Sequence, residues 1–128
     1  MRVLLDTHAF LWFVLNDPKL PPTAKGLIES PANDVLISPA SYWEIAIKVS
    51  HKKLDLLAPY EDFMHQGIVG NDFAVLHIEP RHTAVVASLP FHHKDPFDRL
   101  LIAQALAEGI PLVSADPALD HYGIQRLW

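Results

Sequence analysis

The chain has 128 residues, 50% hydrophobic and 20% charged, with no cysteine and a formal net charge of −5. That length suits one domain, residues 1–128, burying about two-thirds of its unfolded surface. The composition excludes a disulfide framework, a thiolate metal site and a basic coat for nucleic acid, and no apolar run nears the roughly 18 residues of a membrane span, so a soluble, cytoplasmic protein is expected.

In chain order, Arg2 to Leu5 is a short branched apolar run of the kind found in strands buried on both faces, and it ends at Asp6. From Thr7 to Leu15, Phe10, Leu11, Val14 and Leu15 repeat at helical spacing until Asn16-Asp17-Pro18 stops them. This opening therefore reads as a strand and a helix, not a leader peptide. Pro21-Pro22-Thr23 opens a second helix closed by Ser30-Pro31, and Val35-Leu36-Ile37 is a second strand ending at Ser38. It feeds a helix from Pro39 to Ser50, followed by the basic cluster Lys48, His51, Lys52 and Lys53. Further elements are a helix from Pro59 to Val69, a strand from Phe73 to Ile78 and a short helix from Pro80 to Leu89. After the PFHHK loop comes the helix on which the chain centres, KDPFDRLLIAQALAEG, capped by Gly109. Strands at Ile110 to Val113 and Gly123 to Leu127 complete the pattern, with Asp116-Pro117 between them.

Alternating strands and helices predict an α/β fold, a parallel sheet with right-handed crossovers that binds ligands beyond the carboxyl ends of its strands. Asp6 and Asp116 stand at two such ends, and Ser38 at a third. Glu44 lies about two turns along the helix that follows Ser38, among Tyr42, Trp43, Ile45, Ala46 and Ile47. Asp98 shares a face with Leu101, Ile102 and Ala105, which turns its carboxylate inward. Each of these four acids also has a bland explanation: Asp6 and Asp116 as helix N-caps, Asp98 as an acid that with the N-cap Asp95 meets the positive dipole end of its helix, and Glu44 as the partner of Lys48. Four such acids on one sheet edge fit one shared site better than four coincidences.

Clustered carboxylates repel one another unless cations intervene. Without cysteine or a regular histidine spacing, they suit hard, oxygen-seeking Mg²⁺ or Mn²⁺, the ions that serve phosphodiester hydrolysis. The eight histidines show no H-E-x-x-H pattern, and His92 and His93 read as surface or structural residues. His8 is the exception, placed after Asp6 and Thr7 where it can meet substrate or a metal-bound water.

LLDTHAFLW, SYWEIAIK, DPFDRLLIAQA and LVSAD together resemble, in order and spacing, the PIN-domain ribonucleases, and specifically the toxin of a VapBC-type toxin–antitoxin pair. The resemblance implies a three-layer sandwich around a short, mainly parallel sheet of four to five strands. It also implies a metal-dependent endoribonuclease in which Asp6, Glu44, Asp98 and Asp116 are catalytic and hold Mg²⁺ or Mn²⁺. Thr7, His8, Ser38, Asp95, Ser114 and Arg99 are the outer-shell or substrate-contacting candidates, Ser114 standing where the family usually has Thr. A homodimer and a small antitoxin crossing an apolar groove are further implications, with Phe10, Trp12, Phe13 and Trp43 available to line the groove. RNA contacts fall to Lys48, Lys52, Lys53, Arg81, Lys94 and Arg99.

Competing readings are a receiver-like Mg²⁺-binding signalling domain, an aspartate-nucleophile phosphatase, and a PIN fold that binds RNA or protein with little catalysis. The first wants paired acids after the first strand, and the second wants Asp where this chain has His8. The third expects an acid to be missing, and none is. RNA target, cleavage site, metal and antitoxin identity are not written in the sequence.

Overall fold

The computed structural model describes residues 1–128. A five-stranded parallel sheet runs in the order β3-β2-β1-β4-β5, with β1 (Arg2–Leu5) at its centre. β2 (Asp34–Ile37) and β4 (Leu112–Val113) flank it, and β3 (Ala74–Val75) and β5 (Arg126–Leu127) form the edges. Val3 pairs with Val35, while Leu4 pairs with both Leu36 and Leu112.

Alternation along the strands divides the interior in two. Val3, Leu5, Val35, Ile37 and Val113 face one core, which receives Phe10 from α1 (Thr7–Val14), Ile28 from α2 (Pro22–Glu29) and Phe63 from α4 (Tyr60–Ile68). Leu4, Leu36 and Leu112 face the other, filled by Leu101, Ile102 and Ala105 of α6 (Pro96–Glu108). Each fully buried Leu, Ile or Phe contributes about 1.5–3 kcal/mol relative to exposure, so the two faces together hold the sheet in a three-layer sandwich. α3 (Pro39–Ser50) gives Ala40 to one core and Ile45 to the other, which seats it across the carboxyl edge of the sheet. α5 (Pro80–Ser88) lies against α6, with the side chain of His82 fully buried. No helix is long and apolar enough to cross a membrane.

Three strands are shorter than their apolar runs. β3 is an edge strand, with Leu76 N–H still donating to the Ile37 carbonyl at 2.9 Å beyond its ladder. β4 starts after Pro111, which has no N–H to give. β5 is delayed because Gly123, at φ 71°, ends a 3-10 helix (Pro117–Tyr122) that the sequence pattern showed only as a short turn after Asp116. Gly109 takes the left-handed cap expected of it, at φ 64°.

Candidate active site

Three strand ends place polar side chains at the carboxyl edge of the sheet. Asp6, 6% exposed, follows β1 and caps α1, its Oδ1 accepting from Ala9 N–H at 2.7 Å. Ser38 follows β2 and caps α3, its Oγ accepting from Ala40 N–H at 3.1 Å. Ser114 follows β4 and accepts from Asp116 N–H at 3.1 Å. The hydroxyls of Thr7 and Ser41 meet at 2.9 Å and lock the start of α1 to α3. Burial pushes the Asp6 carboxyl above its ordinary range, against the pull of the Ser114 hydroxyl, Ala9 N–H and His8, while Glu44 adds to the push.

Glu44 enters from α3 and is also 6% exposed. Its Oε2 pairs with Lys48 Nζ at 3.1 Å, whereas Oε1 is sealed from solvent without a hydrogen-bond partner. The Lys48 pair anticipated for an exposed Glu44 therefore exists, but on a buried carboxylate. A buried acceptor left unpaired costs about 1–3 kcal/mol, more for a charged group, and a cation would relieve it.

α6 brings its own acids. Asp95 Oδ1 accepts from Phe97 N–H at 2.9 Å and Asp98 N–H at 3.0 Å, the cap arrangement its Asp-Pro sequence announces. Asp98 is pushed up to about 7, first by burial and then by the charges of Asp95, Asp6 and Glu44, with His93 opposing.

His93 is the residue the sequence reading passed over as surface or structural. Asp95 N–H donates to its Nδ1 at 3.1 Å, so a neutral ring carries its proton on Nε2. That Nε2 lies 3.2 Å from Asp98 Oδ2 and 3.2 Å from Asp116 Oδ2, bridging both carboxylates. In this tautomer the Nε2–H donates to Asp116 and lies beside Asp98. His93, Asp98 and Asp116 form one set, with ligand atoms within 4.8 Å of one another. Asp6 and Glu44 stand outside it and act on Asp98 through their charge. Asp116 also caps the 3-10 helix, accepting from Ala118 N–H at 2.9 Å.

Arg99 is a correction. It is 5% exposed, so it is not a surface cation free to meet RNA, and its hydrogen bonds go to backbone carbonyls and the Tyr122 hydroxyl rather than to Asp95. Its guanidinium donates to the carbonyls of Leu89 at 3.0 Å and Pro90 at 2.8 Å, bracing the loop that carries His93. Arg81 also lies away from the acids, paired with Glu79 and Glu108. Of the aromatics anticipated for a groove, Phe10 is core, Trp12 and Phe13 pack partly buried against it, and Trp43 is 66% exposed beside Phe97, ring centroids 5.4 Å apart. His8 is exposed, its ring 5.6 Å from Trp12.

A family profile described as PIN domain matches residues 3–125. Ribonuclease VapC22 of Mycobacterium tuberculosis is 29% identical over 121 residues, covering 94% of this chain and 91% of that one. VapBC2 from Rickettsia felis, solved bound to a promoter DNA fragment, superposes with a TM-score of 0.74 at 17% identity, over 99% of this chain and 98% of that one. VapBC-1 from nontypeable Haemophilus influenzae gives 0.69 at 17% identity, over 99% and 97%.

Proposed function

The chain belongs to the PIN domain family, and from that premise we propose that residues 1–128 act as one catalytic unit, a metal-dependent endoribonuclease that is the toxin of a toxin–antitoxin pair. The observation that carries this reading is the unpartnered, buried Oε1 of Glu44 beside two carboxyls, Asp6 and Asp98, both held above their ordinary range. A site built from oxygen donors whose charges repel one another fits Mg²⁺ or Mn²⁺. Asp6, Glu44, Asp98 and Asp116 would hold the ion.

A bound divalent ion supplies a lowered water pKa and screens phosphate charge from the acids. The chain's own groups do the positioning. Ala9 N–H fixes the rotamer of Asp6, and the Thr7–Ser41 contact sets α1 against α3, so Asp6 and Glu44 keep their spacing. The Nε2–H of His93 holds Asp98 and Asp116 together at the rim, where an RNA phosphate enters. Ser38, Asp95 and Ser114 orient backbone N–H groups around the site and act from behind the acids. The exposed Trp43 and the neighbouring Phe97 border the entrance.

The name of the mycobacterial relative supports ribonuclease chemistry, and the titles of the VapBC structures support a small antitoxin partner. A homodimer in the cytoplasm completes the reading. Purified protein incubated with a mixed pool of structured RNAs, with Mg²⁺, Mn²⁺ or chelator, and beside Asp6→Asn, tests it. Cleavage that requires metal and disappears in the variant is expected. Equal behaviour of wild type and variant on every RNA would sink the catalytic assignment and leave a binding module.

A further inference from the structure

A cavity of about 310 Å³ opens between α1, the turn after it and the end of α3. Its lining includes His8, Trp12, Asp17, Lys19, Lys48 and Lys53. The cations gathered here are unusual for this chain. The arginines are all committed elsewhere: Arg2 and Arg81 to Glu108, Arg99 to backbone carbonyls, and Arg126 to Asp120. In a chain of net charge −5, three lysines nevertheless converge on this one cavity.

Two of them have no carboxylate within ion-pair distance. Lys48 belongs to the wall shared with the acids through its 3.1 Å contact with Glu44. Lys19 and Lys53 make no ion pair, and Lys19 Nζ stands 5.8 Å from the centroid of the Trp12 ring. Asp17, the one carboxylate in the lining, spends its Oδ1 on Lys19 N–H at 2.9 Å. Trp12 is held from behind by Trp128, ring centroids 5.8 Å apart, and flanked by His8.

We propose that this cavity is a nucleotide subsite, taking the RNA phosphate adjacent to the scissile one on Lys19 and Lys53 and the attached base against Trp12. The proposal rests on the nuclease reading and adds to it the path of the strand. Ammonium groups on a phosphate and an aromatic face under a base are the two devices by which single strands are held without sequence readout. The cavity's volume lies at the small end of ligand sites, on the scale of about 300 Å³ and upward. An apolar peptide segment placed here would strip water from two ammonium groups and give them nothing in return. Lys48 links the two places, lining the cavity while its Nζ contacts Glu44 at 3.1 Å.

The test uses the full chain and a fluorescein-labelled single-stranded 12-mer RNA of mixed sequence, in chelator so that it stays intact, with anisotropy read across a salt series. K19Q/K53Q should weaken binding about tenfold at moderate salt and reduce the log–log salt slope by about 0.7, the value for one lost single-strand phosphate contact. K19R/K53R should keep the slope. In the wild type, the same RNA should protect Lys19 and Lys53, but not Lys25 on α2, from amine acetylation read by mass spectrometry. An unchanged slope with unprotected lysines, in a protein that still cleaves RNA with metal, would overturn the subsite and leave the nuclease standing. If wild type neither binds nor cleaves RNA, both fall. Normal RNA binding by K19Q/K53Q together with lost inhibition by a cognate small protein would assign the cavity to a protein partner and overturn the RNA path.

Discussion

α6 carries a histidine–carboxylate cluster at each end, and the two are built alike. At its C-terminus, Glu79 N–H donates to Nδ1 of His82 at 3.0 Å, and Nε2 of His82 meets Glu108 Oε2 at 3.0 Å. At its N-terminus, Asp95 N–H donates to Nδ1 of His93, whose Nε2 meets Asp98 and Asp116. The surrounding charges differ. Glu108 also has Arg2 and Arg81, and it sits below the usual carboxylate range, with the hydrogen bond from His82 first among the causes. It does so at the negative end of a helix dipole, which works against it. Asp98 has the favourable end of the same dipole and is still driven up to about 7. A chain able to neutralise one cluster has left the other in electrostatic conflict. That marks the N-terminal cluster as the place where a cation is missing from the protein's own side chains.

The largest effect that would break this contrast is Asp6→Asn. Metal-dependent cleavage should fall by more than the roughly 10–100-fold that follows loss of an outer-shell partner. In the absence of metal the variant should melt no lower than wild type, because the substitution removes a charge that burial and Glu44 both oppose. Thermal melts in chelator beside an RNA cleavage assay read both halves, and a strongly destabilised variant would refute the claim of conflict. Glu108→Gln is the mirror case. It removes the charge that faces the buried His82 and the exposed Arg2 and Arg81, and should lower stability by about 1 kcal/mol in urea unfolding, chiefly through the His82 hydrogen bond, while metal-dependent cleavage persists.

The acids were readable because each sits where a simple rule places it: Asp6 and Asp116 at strand ends, Glu44 in an apolar stretch of helix, Asp98 in line with Leu101, Ile102 and Ala105. All five strands and six helices were likewise visible in hydrophobic period and in Pro and Gly punctuation. His93 was hidden because nothing periodic constrains a loop. Its position depends on Arg99 bracing Leu89 and Pro90, and on Tyr122, whose hydroxyl oxygen accepts from His93 N–H at 2.7 Å across 29 residues. Arg99 was misplaced for the same reason: an arginine beside two acids reads as a surface cation until the carbonyls it satisfies are known. Lys19 reaches Trp12 only because Asn16, at φ 53°, turns the chain back so that Asp17 N–H bonds the Trp12 carbonyl at 2.8 Å.

The clusters should also tilt stability with pH in opposite directions. Glu108 has a depressed pKa, so its contribution is present above the unfolded value and is lost as pH falls through the folded one. Asp98 rises from 3.8 to about 7, so between those limits the folded state binds the extra proton and stability declines as pH rises. In chelator, wild type should lose about 1–2 kcal/mol between pH 5 and pH 7.5 relative to Asp98→Asn, a value reduced from the full shift by screening at the open side of the carboxyl. Mg²⁺ or Mn²⁺ should abolish the difference. Parallel curves for the two proteins in chelator would show that Asp98 titrates normally.

The smallest effect isolates one charge. Asp95 does two jobs at once: it caps α6, and it is the largest of the charges pushing Asp98 upward. Asn caps about as well as Asp, so Asp95→Asn keeps the N–H bonds of Phe97 and Asp98 while deleting the charge. The pH-dependent loss described for Asp98 should then begin at lower pH and shrink, raising metal-free stability near pH 7.5 by under about 1 kcal/mol. A replacement that removed a needed cap would destabilise at every pH, so the sign of the change separates capping from repulsion. A gain confined to the range where Asp98 titrates in wild type, and absent once metal is added, would place the conflict between these two side chains. A uniform loss across pH would instead make Asp95 a cap whose charge does not matter to its neighbour.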